Sequence, residues 1–260
     1  MTAGSRTWFA DERHAEVLRL LAADRRVESS ALATLFGISA ESVRKDLALL
    51  ESRGLLRRVH GGAVACEPSR AEPHVADRGE RAAEKSAIAQ RALQFVPDGG
   101  SLLLDAGTTT LRLAEMLPTE AELVVYTNSI PVGSTLHRRG VTAVTLGGRI
   151  RSPTMAGVGA LAAQALATIN VDVAFLGTNA LSFERGLTTP DADEAQVKHQ
   201  MLAAARQRVF LVDSSKFGRE SLARHATLAD VDVLITDAGA TAEHRDRLRA
   251  AGIAVEVADR

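Results

Sequence analysis

From Glu84 onward one pattern recurs: a short apolar, β-branched run, a few small or polar residues, then an Ala- and Leu-rich stretch at helical spacing. Strand followed by helix, repeatedly, admits few folds. It predicts an α/β domain built on a mainly parallel sheet with helices on both faces. The strand candidates are 101–104, 123–126, 142–146, 171–176, 209–212 and 233–236, with 254–257 as a further one. Helical patterns fall near 85–95, 110–117, 160–168, 194–205 and 241–250.

In such sheets ligands sit beyond the carboxyl ends of the strands, and the polar residues of this chain collect there. Asp105, Gly107, Thr108, Thr109 and Thr110 lie between one strand and the next helix. Hydroxyls and backbone amides at a helix N-terminus suit an anion such as phosphate. Thr127, Asn128 and Ser129 follow the second strand, Gly147, Gly148 and Arg149 the third, Gly177 the fourth, and Asp213, Ser214 and Lys216 the fifth. Each group alone is ordinary turn chemistry. Five in register along one sheet edge point to a ligand site. The stretch GLTTPDADEAQVK, Gly186 to Lys198, reads in two ways. It is either a capped helix with one exposed Glu194–Lys198 ion pair, or a polar wall over that site.

The N-terminal region carries a different order. Val17, Leu18, Leu20 and Leu21 give an apolar face to a helix over about 11–23, with Asp11 as its cap. Ser29 or Ser30 caps a second, short helix that Gly37 stops. Ser39 caps a third, with Val43, Leu47 and Leu50 at helical spacing and Gly54 at its end. Two strand-like runs, 55–59 and 63–65, then flank His60-Gly61-Gly62, which reads as a β-hairpin. Helix, short helix, turn, helix and hairpin is the order of a winged helix-turn-helix. Its third helix is narrow enough for a DNA major groove. Burying Val43, Leu47 and Leu50 turns Ser39, Glu41, Ser42, Arg44 and Lys45 outward, while Arg57, Arg58, His60 and Gly61 belong to the wing. Ser, Arg and Lys donate to phosphates and base edges. A charged surface on a small helical bundle fits the composition equally well. Residues 1–65 hold ten Arg and Lys against eight Asp and Glu, a net of only +2. The case therefore rests on the order of elements.

The two regions give domains at 10–65, with the helix-turn-helix at about 27–46, and 84–258. The Pro- and charge-rich stretch 66–83 joins them as a linker. A net charge of −1 over 260 residues requires any DNA-binding charge to be local. One cysteine and seven scattered histidines leave no metal site, and neither a GxGxxG nor a P-loop pattern supports a nucleotide cofactor. No apolar run reaches the roughly 18–20 residues of a membrane helix. The N-terminus has no signal-peptide core. A cytoplasmic protein without cofactor is expected.

The stretch ISAESVRKDLALLESRGLLRRVHGGA resembles the N-terminal signature of the DeoR family of bacterial transcription regulators, V-S-x-x-T-I-R-R-D-L closed by R-x-H-G-G-A. Ile38, Ser42, Val43 and Lys45 replace residues of similar size or polarity. Lys45 lacks the bidentate arginine fork, so a phosphate contact is expected of it more than a base contact. Further on, DAGTTT, TNS, GG, the E-A-x-V-K of Glu194–Lys198 and DSSKFG resemble the family's C-terminal domain, in order, so the likeness runs from about Arg13 to Asp237. It implies a fold like the ribose-phosphate isomerases and a phosphorylated sugar as effector. The ligand residues it implies are Asp105, Gly107, Thr108, Thr109, Thr110, Thr127, Asn128, Gly147, Gly148, Gly177, Glu194, Lys198 and Lys216. It implies double-stranded operator DNA as partner, repression of carbohydrate genes and a homodimer or homotetramer, since one winged helix reads few bases. An isomerase-like enzyme using Asp105, Asp193, Glu194 and Lys198 is the alternative. An attached DNA-reading module argues against turnover of the signal.

Overall fold

The computed structural model of the chain describes residues 8–24, 26–52, 55–59, 61–65, 75 and 80–259. The expected helix stop at Gly54, the wing residue His60, most of 66–83 and the side chains of Asp11 and Arg57 lie outside the described residues. Two compact units are present, Met1–His74 and Val75–Arg260.

The first unit contains α1 (Ala10–Asp24), β1 (Arg26–Glu28), α2 (Ser29–Phe36), α3 (Ala40–Ser52), β2 (Leu56–Val59) and β3 (Gly62–Ala65). Val17 and Leu21 from α1, Leu32 and Phe36 from α2, and Val43, Leu47 and Leu50 from α3 form one buried core with Leu56 and Ala63. Burying each of the larger side chains contributes about 1.5–3 kcal/mol. The hairpin is not alone. Strand β1, three residues long, pairs antiparallel with β3, giving the order β1-β3-β2. This contact explains Gly62, where a Cβ would lie 2.0 Å from the Val27 carbonyl oxygen. It also corrects the expected cap of α2. Neither Ser29 nor Ser30 caps the helix. The N-cap is Glu28, without a side-chain bond, and the Ser29 amide donates to the Gly61 carbonyl at 2.8 Å. The wing backbone supplies the acceptor that a capping hydroxyl would otherwise provide.

The second unit is organised around a seven-stranded sheet of β4 (Gly99–Leu104), β5 (Glu122–Thr127), β6 (Thr142–Thr145), β9 (Val171–Leu176), β12 (Ala205–Leu211), β14 (Val233–Asp237) and β15 (Ala254–Ala258). Their order is β15-β14-β12-β9-β4-β5-β6, and every pairing is parallel. Alternate residues serve opposite faces. Leu102 and Leu104 pack with α4 (Ala82–Ala92), α5 (Thr108–Met116) and α6 (Ile130–Arg138), while Leu103 packs with α7 (Ala160–Leu166), α8 (Ala192–Ala203) and α9 (Ala242–Ala250). The chain runs β4-β5-β6 toward one edge and then returns to β9 on the other side of β4. The strand order therefore reverses between β4 and β9, and the carboxyl ends of strands at such a reversal are where ligands of open parallel sheets bind.

Three elements depart from the expected pattern. Helix α6 was not expected; it is capped by Ser129, whose hydroxyl accepts from the Val132 amide. The antiparallel pair β7 (Arg149–Arg151) and β8 (Ala156–Val158) follows β6. A small antiparallel sheet joins β10 (Ala180–Ser182), β11 (Gly186–Thr189) and β13 (Ala223–Ala226). Among the described residues no helix is long and apolar enough to cross a membrane.

Candidate functional site

On the first unit, Glu41, Arg44 and Lys45 of α3 and Ser39 just before it are exposed and Ser42 is half-buried, while Val43, Leu47 and Leu50 of the same helix are buried. The Ser39 hydroxyl accepts from the Ser42 amide at 3.1 Å, so the expected cap of α3 is present. Arg44 pairs with Glu41 at 2.6 Å. On the wing, Arg58 pairs with Glu51 of α3 at 2.6 Å, and its amide donates to the same carboxylate. Gly61 is exposed at the hairpin turn, and Arg57 pairs with Val64 in the strand register. Behind this face Asp46 fastens α3 to α1: Arg13 grips it through two nitrogens, and His14 lies 3.1 Å away. Burial opposes ionisation of Asp46, but the bonds from Arg13 and His14 outweigh it and hold the carboxyl below its usual range. Among the described residues, Lys45 makes no ion pair.

On the second unit, the carboxyl ends of β4 and β9 meet around Asp105, which is fully buried. One carboxylate oxygen accepts from the Gly177 amide at 3.1 Å and from Lys198 Nζ, which also reaches the Gly177 carbonyl at 3.1 Å. The other, Oδ1, is buried without a hydrogen-bond partner. Buried polar atoms normally have partners, so this oxygen has the capacity to accept one further hydrogen bond. Asn128, after β5, repeats the feature: its Nδ2 donates to the Gly157 carbonyl at 3.2 Å and its Oδ1 is buried and unpaired.

The neighbouring residues divide by what their polar atoms do. The Thr110 hydroxyl lies 2.7 Å from the Asp105 carbonyl and closes the strand-to-helix turn. The Thr127 hydroxyl accepts from the Ser129 amide at 3.0 Å and holds the next turn. Thr108 and Thr109, in the first turn of α5, make no side-chain hydrogen bond among the described residues, and the first amides of a helix lack intrahelical acceptors. Gly107 precedes that turn. Gly147 and Gly148 form the bend from β6 into β7, where the Gly147 carbonyl meets Gly157 so closely that a Cβ there would lie 2.0 Å from the oxygen. Lys216, on the one-turn helix Ser214–Lys216 after β12, is half-buried and makes no ion pair among the described residues.

The reading of Glu194–Lys198 as an exposed pair is overturned. Both side chains are 2 % exposed. Lys198 lies on the inner face of α8, where its ammonium is held by Asp105, while Glu194 sits 3.9 Å away. Arg151, from β7, pairs with Glu194 at 3.2 Å and Asp191 at 3.3 Å. Alternating charges thus run from Asp105 through Lys198 and Glu194 to Arg151. Nothing in the sequence reading singled out Arg151; its position two residues after Arg149 on a strand, hence on the same face, was the available signal. Asp193 does not join this cluster. It pairs at the surface with Arg149 at 2.7 Å.

His225, from β13, is also buried at this end, with Nε2 3.1 Å from the Thr178 hydroxyl and Nδ1 without a partner. Burial, then the charges of Lys198 and His199, hold its pKa well below the usual 6.5, so the folded ring is neutral. Below about pH 6.5 the unfolded chain takes up a proton here that the folded chain does not, and stability must fall as pH drops through that window. Thermal melts at about pH 7.5 and 5.5 should show this fall in the parent, and a smaller one in His225→Gln. Equal falls would contradict the account.

A family model described as a DeoR-like helix-turn-helix domain matches residues 13–69, and one described as a DeoR C-terminal sensor domain matches 80–238. The chain is 36% identical to the HTH-type transcriptional regulator GlpR of Haloferax volcanii, over 94% of this chain and 96% of that one. It is 33% identical to a putative aga operon transcriptional repressor of Escherichia coli O157:H7, over 94% and 92%. It is 35% identical to the uncharacterized HTH-type regulator FruR of Bacillus subtilis, over 87% and 91%. Among solved structures, ribose 5-phosphate isomerase A of Methanocaldococcus jannaschii overlaps 51% of this chain and 53% of its own, at 21% identity and a TM-score of 0.39. That overlap is too slight to argue from.

Proposed function

This chain belongs to the DeoR family of transcription regulators, and from that premise we propose that it is a repressor of carbohydrate genes whose DNA binding responds to a phosphorylated sugar. The division of labour is a DNA-binding domain at 10–65, a linker at 66–83 and an effector domain at 84–258. Ser39, Glu41, Ser42, Arg44 and Lys45 face operator DNA from α3, with Arg57, Arg58, His60 and Gly61 along its backbone from the wing. The protein acts in the cytoplasm as a homodimer or homotetramer on repeated half-sites.

The observation that carries the effector reading is the pair of buried, unpaired acceptors, Asp105 Oδ1 and Asn128 Oδ1, at the ends of neighbouring strands. Sugar hydroxyls are the matching donors. Thr108, Thr109 and the first amides of α5 suit the phosphate, together with Lys216. Gly107, Thr110, Thr127, Gly147, Gly148, Gly177, Glu194 and Lys198 shape and hold the site. The isomerase alternative loses one of its four groups, because Asp193 is paired with Arg149 at the surface.

A thermal-shift screen against ribose 5-phosphate, fructose 1-phosphate, fructose 6-phosphate and glucose 6-phosphate tests this reading. A ligand that binds only the folded state raises its melting temperature, by an amount set by the ratio of its concentration to Kd. At least one member is expected to raise Tm, and Lys216→Ala to reduce the rise. A flat panel, or an undiminished rise in Lys216→Ala, contradicts the assignment.

A further inference from the structure

Glu51 lies in the last turn of α3, and both oxygens of its carboxylate bind one residue of the wing. Oε1 accepts from the Arg58 amide at 2.8 Å and Oε2 from Arg58 Nε at 2.6 Å. The amide is available because β2 is an edge strand, in the order β1-β3-β2, so part of its backbone faces away from β3. The bond from the guanidinium, then the one from the amide, hold the Glu51 carboxyl below its usual range, so it is ionised at neutral pH. The grip stops short of the end of the side chain. Arg58 Nη1 and Nη2 make no hydrogen bond among the described residues, and the side chain is 47% exposed. Arg44 differs, because its Nη1 is the atom that Glu41 takes, at 2.6 Å. A clamp on the amide and on Nε fixes where the Arg58 guanidinium stands and leaves its outer donors open to a phosphate.

Neither stability nor charge accounts for a carboxylate at this position. The pair is partly exposed, and such pairs contribute little to stability. The last turn of α3 holds no basic residue, and an acidic one there opposes the helix dipole. A negative charge beside a wing arginine also repels the phosphates that the arginine would meet. We propose that Glu51 is a positioning residue for DNA binding that acts through Arg58. It sets the wing guanidinium against α3, so that its outer nitrogens meet a backbone phosphate in register with the contacts from that helix. The proposal rests on the reading of Arg58 as a DNA contact. A long side chain is thereby ordered in the free protein, and that cost does not fall on binding.

Charge and positioning predict opposite signs. If charge alone matters, removing an acidic residue near DNA should tighten binding. Positioning predicts that full-length Glu51→Ala binds operator DNA about fivefold more weakly, with a salt slope lowered toward that of Arg58→Ala. Arg58→Ala itself should bind about tenfold more weakly, with its slope reduced by about one. Glu51→Gln, which keeps an acceptor for the amide and for Nε, should recover part of the loss. Adding Glu51→Ala to Arg58→Ala should change little further, since Glu51 acts only through Arg58. The operator is a duplex selected by the parent protein from a random-sequence pool. Affinity is read by fluorescence anisotropy at several salt concentrations, beside a melting curve for each variant. Tighter or parent-like binding by Glu51→Ala, with Arg58→Ala weakened, overturns the proposal alone. Additive losses in the double variant overturn it too, as does weakening that tracks a lowered melting temperature. Parent-like affinity and salt slope in Arg58→Ala overturn the reading of Arg58 as a DNA contact, and the proposal with it.

Discussion

Lys198→Ala is expected to destabilise the second unit by about 3–5 kcal/mol, because it strands a carboxylate in the core. Asp105 is fully buried and Lys198 is 2 % exposed, so no water is at hand to take the place of the ammonium. Glu194, 3.9 Å from the same nitrogen, loses its cation as well, although Arg151 remains with it. For a unit of this size, each kcal/mol lowers Tm by about 2–4 °C, which gives a drop of roughly 6–20 °C. The double variant Asp105→Asn/Lys198→Met should recover most of the loss. Asparagine still offers an oxygen to the Gly177 amide, and no buried charge is left without a partner. A drop of less than about 2 °C in the single variant would mean that the Asp105 carboxylate is not held in a dry site.

Leu47→Ala is expected to cost about 2–5 kcal/mol, and its effect should be confined to the first unit. Leu47 is 1% exposed at the middle of α3, packed with Val17, Leu32 and Val43 in a small core. Small domains are marginal, with little stability to lose. The melting transition of the first unit should fall or vanish, operator binding should go with it, and the transition of the second unit should stay in place. A single shared shift of both transitions would show that the two units do not melt independently.

The sheet was legible in the sequence because a parallel sheet covered on both faces needs strands that are apolar on both sides. Runs such as VDVAFL and VLITD leave little choice. Helix α6 was not legible because IPVGSTLHR contains Pro, Gly, Ser and Thr within nine residues, all poor helix formers. It exists because Ser129 caps it and because Val132 and Leu136 are fully buried. Strand β1 was missed for a related reason. Three residues have no readable period, and only the partner strand makes them a strand.

The candidate site divides in the same way. Strand ends mark positions along an edge, so Asp105, Asn128, Gly177 and Lys216 could be placed near one another from order alone. What a side chain touches depends on partners far away in sequence. The Asp105–Lys198 contact spans 93 residues, and nothing in the i,i+4 spacing of Glu194 and Lys198 says whether that face of α8 is wet or dry. Spacing alone favoured the surface, and packing of α8 against the sheet put both charges inside. Asp46 was visible as a matched motif residue, but its work, holding α1 against α3 through Arg13, is visible only in the fold.

The central claim joins two sites, so the measurement that tests it reads one while changing the other. Operator DNA labelled with a fluorophore is bound to the full-length protein, and the sugar phosphate with the largest thermal shift is titrated in. Anisotropy should fall along a saturating curve for the parent. For Thr108→Ala and Lys216→Ala, DNA should bind as tightly at the start and release only at much higher sugar-phosphate concentrations. Parent-like release curves in both variants would contradict the account.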